Sequence, residues 1–459
     1  MTSSTPCGAA VRWVDDSNAA LLTDLYELTM AASYHARGMN ERATFDLFVR
    51  EMPEQRRFLI ACGLEQALHY LETLHFDDDS IAYLRSLSIF QDDFLNFLGG
   101  LRFTGDVWAV REGEVVFDKE PLMQVTAPLI EAQIVETFLL NCVIFQTMVA
   151  SKAARIAIAS GDRQFVDYSP RRDHGADAAL KAARAAFVGG ATSTSNVLAG
   201  RAWGIPVSGT MAHSYVMVFE DELNAFRAFA KDFPERAIFL IDTFDVREGA
   251  RVAARVANEL ASKGVKVQGV RIDSGELGPL ARAVRTILDD SGLHDVRIVL
   301  SGDLDEYRIR ALLDADVPVD AFGVGTQLGT SGDAPALGGV YKLVSDERGP
   351  KMKLSTGKAT LPGQKQVFRV RDVTDSHDVI ALQNETIEGG VPLLEEVMSG
   401  GRRTTGPEPL EAIRERCTRS VGELPGRVRS LEATTESSTR IDCSSALNDL
   451  ITRIRGGAR

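Results

Sequence analysis

Residues 237–275 read AIFLIDTFDVREGARVAARVANELASKGVKVQGVRIDSG, and the fold is decided here. Two apolar runs rich in Ile, Val and Phe flank a helical pattern whose Ala and Val recur every three or four positions and which closes on Gly264. Short apolar runs bounded by polar turns read as strands buried on both faces, and strand, amphipathic helix, strand in this spacing is a βαβ unit with parallel strands. The same rhythm extends outward: FVDYS (165–169) and IPVSGT (205–210) precede the stretch, and VRIVLSGD (296–303) and VDAFGVGT (319–326) follow it. A second helical pattern, ELGPLARAVRTILDDSG (276–292), again ends on glycine. Repetition at roughly 25 to 30 residues predicts a parallel sheet covered on its outer face by helices, a β/α barrel.

The barrel is expected over residues 161–340, with an α/β domain over 21–160 before it. In that domain LYELTMAASYHARG reads as a helix entered at Thr23-Asp24 and stopped at Gly38. TFDLFVR reads as a strand, and Pro128 to Ala159 as one long helix. Residues 1–20 read as a polar leader. Residues 341–432 read as a C-terminal domain packing on the other two, and 433–459, Ser/Thr-rich at first, as a partly disordered tail.

Composition narrows the function. A net charge of −13 argues against a general nucleic-acid partner, which demands a basic surface; it still permits a small anionic substrate, which needs a local cluster of Arg and Lys against the repulsion of the whole molecule. Five dispersed cysteines with no CxxC pair fit neither a disulfide framework nor a zinc site and suit a reducing cytoplasm. No uninterrupted apolar run approaches the roughly 20 residues of a membrane span.

In a β/α barrel, reactive groups gather where strands end and loops begin. That rule selects Arg171 and Arg172, Thr210 and His213, Asp242, Arg271 and Asp273, Ser301 with Gly302 and Asp303, and Gly323 to Thr326. Guanidinium forks suit a carboxylate or phosphate. SGD and GVGT, each closing an apolar strand, can offer backbone amides and a hydroxyl to phosphate, although an ordinary glycine turn reads the same way. His213 has small neighbours, including Gly209, Thr210, Ala212 and Ser214, that leave room for a phosphate beside its ring, and imidazole can carry a phosphoryl group. A lone histidine is nonetheless more often structural. Asp242 and Asp273 can hold Mg²⁺, position a ribose, orient His213, or simply cap helices. Tyr26 is by default a core or interface aromatic. A Schiff-base lyase of this fold needs a lysine at a strand end, and none of the six ends has one.

Read together, DLYELTM (24–30), RRDHGADAAL (171–180), GTMAHS (209–214), FLIDTFD (239–245), VRIDSGEL (270–277), LSGDLDE (300–306), FGVGTQL (322–328) and KLSTGKATLPGQKQVFR (353–369) resemble the nicotinate phosphoribosyltransferase family, in family order. The resemblance implies an N-terminal α/β part, an irregular barrel and a C-terminal part, in a homodimer whose active sites draw on both subunits. It implies nicotinate, phosphoribosyl pyrophosphate and ATP as substrates, Mg²⁺ as cofactor, and a product for NAD synthesis. Tyr26 of the neighbouring chain would stack on the pyridine ring; Thr210, Ser214 and Arg271 would contact nicotinate, with Arg172 near its carboxylate. Ser301, Gly302, Gly323, Gly325 and Thr326 would hold the ribose phosphate, and His213 would be phosphorylated beside Asp242 and Asp273. Nicotinamide-specific relatives and a non-catalytic metabolite sensor are the rival readings. One departure is visible: the family usually has Glu-Phe-Gly a little ahead of Arg-Arg-Ala, whereas this chain reads DYSPRRDHG, with Asp173 in place of the small alanine.

Overall fold

The computed structural model describes residues 13–261, 264–355, 360–371, 376–432 and 440–457. Its centre is a parallel sheet of six strands, all but the second from the apolar runs named above: β1 (Gln164–Asp167), β2 (Ser193–Thr194), β3 (Ile238–Leu240), β4 (Gly269–Ile272), β5 (Arg297–Leu300) and β6 (Ala321–Val324). The strand order is β2-β1-β6-β5-β4-β3, so the sheet curls but stays open between β2 and β3, an irregular half-barrel. Register is continuous across the middle, with Val299 beside Arg271 and Gly323 beside Val166. The helices Val246–Ala261 and Leu277–Asp290 bury their alanine and valine faces against the strands, including Ala250, Ala253, Ala281 and Val284.

The expected strand IPVSGT does not form; Val207 makes only a single bridge to Thr194. Pro206 has no N–H to give a ladder, and Gly204 takes a left-handed φ of 71° to end the helix Val197–Trp203. The edge position next to β1 falls instead to Ser193–Thr194. His213 accordingly does not follow a strand; it opens the short helix His213–Met217.

The expected division at residue 341 also differs. A second sheet of seven strands runs in the order Gly349–Pro350, Gly339–Asp346, Arg42–Val49, Pro121–Pro128, Asp106–Val110, Leu394–Ser399 and Arg402–Arg403. Strands from after the half-barrel therefore close both edges of the N-terminal sheet, with Val49 paired to Gly339 and Leu394 to Val110. Antiparallel partners so distant in sequence leave no trace in local periodicity. Of the tail expected to be disordered, Ile441–Cys443 pairs in parallel with Ser376–Leu382, and Ser445–Gly457 is a helix that buries Leu447 and Leu450. The remainder, 433–439 and 458–459, lies outside the described residues, as does most of the 1–20 leader.

The helix Glu136–Ser160, preceded by the separate turn Leu129–Ile134, runs between the two sheets. It is long and apolar enough to cross a membrane by composition, but its apolar window is 78% buried inside the protein. Its Lys152 and Arg155 are buried in an ionic cluster. Lys152 Nζ lies 2.5 Å from Glu306 and 2.9 Å from Asp333, Arg155 Nε lies 2.9 Å from Glu306, and Arg56 Nε lies 2.9 Å from Asp333. Arg56 also donates to the Ser331 hydroxyl. This cluster ties the N-terminal part to the segment just after β6.

Candidate active site

The open mouth of the half-barrel is organised by Arg271. On β4 the apolar Val270 and Ile272 face the helices, which turns Arg271 to the other side of the sheet. Its guanidinium makes three side-chain contacts: Nη1 donates to Thr210 Oγ1 at 3.0 Å, Nε to Ser301 Oγ at 2.8 Å, and Nη2 to Asp273 Oδ1 at 2.6 Å. The same group lies 5.0 Å from the centre of the Tyr168 ring, a cation–π contact. One side chain thus joins the loops after β1, β4 and β5 and the segment that follows the Thr194–Val207 bridge. Burial opposes the charge of Asp273, but the Arg271 cation and hydrogen bonds from Ser301 and Arg271 outweigh it and hold this carboxyl below its ordinary value.

A second constellation adjoins the first. Asp242, just beyond β3, accepts the Asp273 amide at 2.9 Å and the Ser274 hydroxyl at 2.7 Å through Oδ2, while its buried Oδ1 has no hydrogen-bond partner among the described residues. That free oxygen and Asp273 Oδ2 each lie 4.0 Å from His213 Nε2. His213 Nδ1 lies 3.1 Å from Thr243 Oγ1. Two carboxylates facing Nε2 favour the tautomer protonated there, leaving the Nδ1 lone pair toward the threonine hydroxyl. The imidazole is 39% exposed, so a ligand in the mouth can reach it.

The glycines bring the loops close. Gly302 has φ of +100°, and a Cβ there would lie 2.1 Å from the Asp273 carbonyl oxygen, so both its conformation and its contact require glycine. Gly323 is a strand residue whose missing side chain makes room for Tyr168; a Cβ would meet that ring at 2.4 Å. Gly325 leads into the helix Thr326–Gly329, with Thr326 exposed at its start.

Thr210, His213, Asp242, Arg271, Asp273 and Ser301 therefore share one hydrogen-bonded and electrostatic cluster, with Gly302, Gly323 and Gly325 beside it. Arg171 and Arg172 sit on the exposed turn after β1 and make no ion pair among the described residues. Ser214 is exposed on the His213 helix. Tyr26 stands apart on the helix Leu25–His35, 47% exposed, with Glu136 and Glu27 near its hydroxyl. Beside it Glu27 is buried and bonded to the hydroxyls of Thr23 and Thr137. Burial pushes its carboxyl up to about 7 despite those bonds.

Tyr168, Thr243, Ser274 and Asp167 were not selectable from sequence. Asp167 is fully buried at the end of β1, accepting from the Ser169 amide at 2.9 Å and the Thr194 hydroxyl at 2.7 Å, which fixes β2 against β1. Tyr168 and Thr243 lie within the runs FVDYS and FLIDTF, one and three residues past a strand end, and that position is their one available signal.

Comparison with known proteins covers nearly the whole chain. The profile of the nicotinate phosphoribosyltransferase N-terminal domain matches residues 21–144, and that of the nicotinate phosphoribosyltransferase family matches 163–342. A nicotinate phosphoribosyltransferase of Mycobacterium tuberculosis is 46% identical over 417 residues, covering 90% of this chain and 89% of that protein. The Bacillus subtilis nicotinate phosphoribosyltransferase is 43% identical over 383 residues, covering 81% and 78%. Among solved structures, human nicotinic acid phosphoribosyltransferase superposes with a TM-score of 0.84 at 28% identity, over 94% of this chain and 99% of that one.

Proposed function

The chain belongs to the nicotinate phosphoribosyltransferase family, and from that membership we propose that it joins nicotinate to 5-phosphoribosyl 1-pyrophosphate, coupled to ATP through a phosphohistidine at His213. The product, nicotinate mononucleotide, feeds NAD synthesis. In the reaction the bond from ribose C1 to the pyrophosphate oxygen breaks, its electron pair leaves with pyrophosphate, and the pyridine nitrogen lone pair forms the new C1–N bond. No general base is needed, because the attacking nitrogen carries no proton. The site must instead stabilise positive charge on the sugar and negative charge on the leaving group.

The observation that carries this reading is the threefold grip on Arg271. A guanidinium held by Thr210, Asp273 and Ser301 presents a fixed cation to an anionic aromatic acid at low reorganisation cost. Arg172 supplies a second cation for the carboxylate. Ser301, Gly302, Gly325 and Thr326 receive the sugar phosphate, and Ser214 lines the nicotinate side. Tyr26 lies outside the cluster on an exposed helix face, in keeping with a homodimer in which each chain lends this ring to its partner's site.

Mg²⁺ fits the residues present in a limited way. Among the described residues no group of three or more His, Cys, Asp or Glu is arranged to hold a metal. The unpartnered Asp242 Oδ1, with Asp273, matches an ion that takes one or two carboxylates and fills its shell with water and phosphate oxygens. When bound, it would neutralise charge on the pyrophosphate. His213 would take the γ-phosphoryl group of ATP on Nδ1, with release of ADP, while the nearby charges of Asp242 and Asp273 favour keeping the ring proton on Nε2.

Incubation with γ-labelled ATP tests the coupling. Acid-labile label is expected on the wild type and absent from His213→Ala, with pyrophosphate released once nicotinate and phosphoribosyl pyrophosphate are added. Label retained by the variant would move the phosphohistidine elsewhere.

A further inference from the structure

The turn that carries Arg171 and Arg172 is closed by the two residues that flank them. Ser169 O accepts from the amides of Arg172 at 2.6 Å and Asp173 at 3.2 Å, and Ser169 Oγ lies 3.1 Å from Asp173 Oδ2. The Ser169 amide in turn donates to the buried Asp167 carboxylate. The other oxygen of Asp173, Oδ1, is buried without a hydrogen-bond partner among the described residues. It presses on Gly329, the last residue of the helix that begins at Thr326: a Cβ on Gly329 would lie 1.7 Å from Asp173 Oδ1 and 2.5 Å from Ser169 Cβ. These two side chains therefore fill the space between the two-arginine turn and the helix that starts at the phosphate turn.

Removal of either side chain leaves the other without its partner in this part-buried contact, a costly arrangement.

We propose that Ser169 and Asp173 form a clasp that positions the Arg171–Arg172 turn against the helix Thr326–Gly329. The clasp holds the acceptor side and the sugar-phosphate side of the site in one register. Both are positioning residues, and the inference rests on the nicotinate reading above. Burial, followed by the charge of Asp167, pushes the Asp173 carboxyl up to about 6 against the pull of the Ser169 hydroxyl. The other groups facing it are the Gly329 backbone and, farther out on the exposed turn, the two arginines. The acid form of Asp173 is isosteric with asparagine, which can also keep a hydrogen bond to Ser169.

The test is steady-state kinetics with nicotinate and phosphoribosyl pyrophosphate on Ser169→Ala, Asp173→Ala, the double variant and Asp173→Asn. Each alanine variant is expected to raise KM for nicotinate roughly fivefold or more, the scale of one lost hydrogen bond to an ionisable group. The kcat is expected to stay within about twofold. The double variant should be no worse than Asp173→Ala, because the two share one interaction, and Asp173→Asn should recover most of the wild-type KM. Should Asp173→Ala fail to fold, Ser169→Ala and Asp173→Asn still decide the matter. Unchanged KM in the alanine variants, independent effects that multiply, or an asparagine variant as weak as alanine would each overturn the clasp while wild-type turnover leaves the reaction intact. A wild type that does not turn over nicotinate would sink both.

Discussion

Nη1 of Arg271 lies 3.0 Å from Oγ1 of Thr210, tying a strand of the sheet to a segment that joins it only through the Thr194–Val207 bridge. This contact makes Arg271 the tie that shapes the mouth, and under the proposed function the group that meets the substrate. Arg271→Lys retains charge but loses the planar fork, and cannot hold Thr210, Ser301 and Asp273 together. It is expected to lower kcat/KM for nicotinate by roughly a hundredfold, about 2.7 kcal/mol of transition-state stabilisation. Near-wild-type values would remove Arg271 from its central role.

His213 and Thr243 are coupled through 3.1 Å. Replacing Thr243 with valine keeps the shape and removes the hydroxyl that orients the ring. Label taken up from γ-labelled ATP should fall about tenfold, the worth of one net hydrogen bond. Uptake equal to the wild type would show that the ring is fixed by Asp242 and Asp273 alone.

Much of this site is legible in the amino-acid sequence. The six apolar runs and their terminal polar residues are local signals, and five of those runs form strands of the half-barrel. The sixth fails for a local reason that composition masks: Gly204 and Pro206 break the ladder within an otherwise apolar run. The pairing of Val49 with Gly339 is not legible, because register between strands so far apart is set by tertiary packing. Thr243 and Tyr168 escape notice because neither residue type announces a role; contact with His213 and Arg271 exists only once separate loops converge.

Glu27 gives the Tyr26 helix a pH dependence. Its carboxyl is raised by burial to about 7, so the folded state binds this proton more tightly than the unfolded chain does. The associated stability is fully present below the ordinary value near 4.5 and is lost as pH rises through about 7. Thermal unfolding of the wild type should therefore move to lower temperature between about pH 4.5 and 7 by more than that of Glu27→Gln. Parallel curves for the two proteins would place the proton elsewhere.

The ionic cluster around Glu306 is structural. Glu306 is fully buried between Lys152 and Arg155, so Glu306→Gln leaves buried Arg155 without a counter-charge and Lys152 with Asp333 alone. Denaturant unfolding should report a loss of about 3 kcal/mol or more. A loss under about 1 kcal/mol, the value of an exposed pair, would mean that water reaches the cluster.

The most direct measurement is acceptor choice: initial rates of pyrophosphate release with nicotinate and with nicotinamide, at equal concentrations and saturating phosphoribosyl pyrophosphate and ATP. A mouth built around guanidinium cations requires a carboxylate on the ring, so nicotinate should be favoured by about a hundredfold or more. Equal rates with the two acceptors would show that Arg271 does not read the carboxylate.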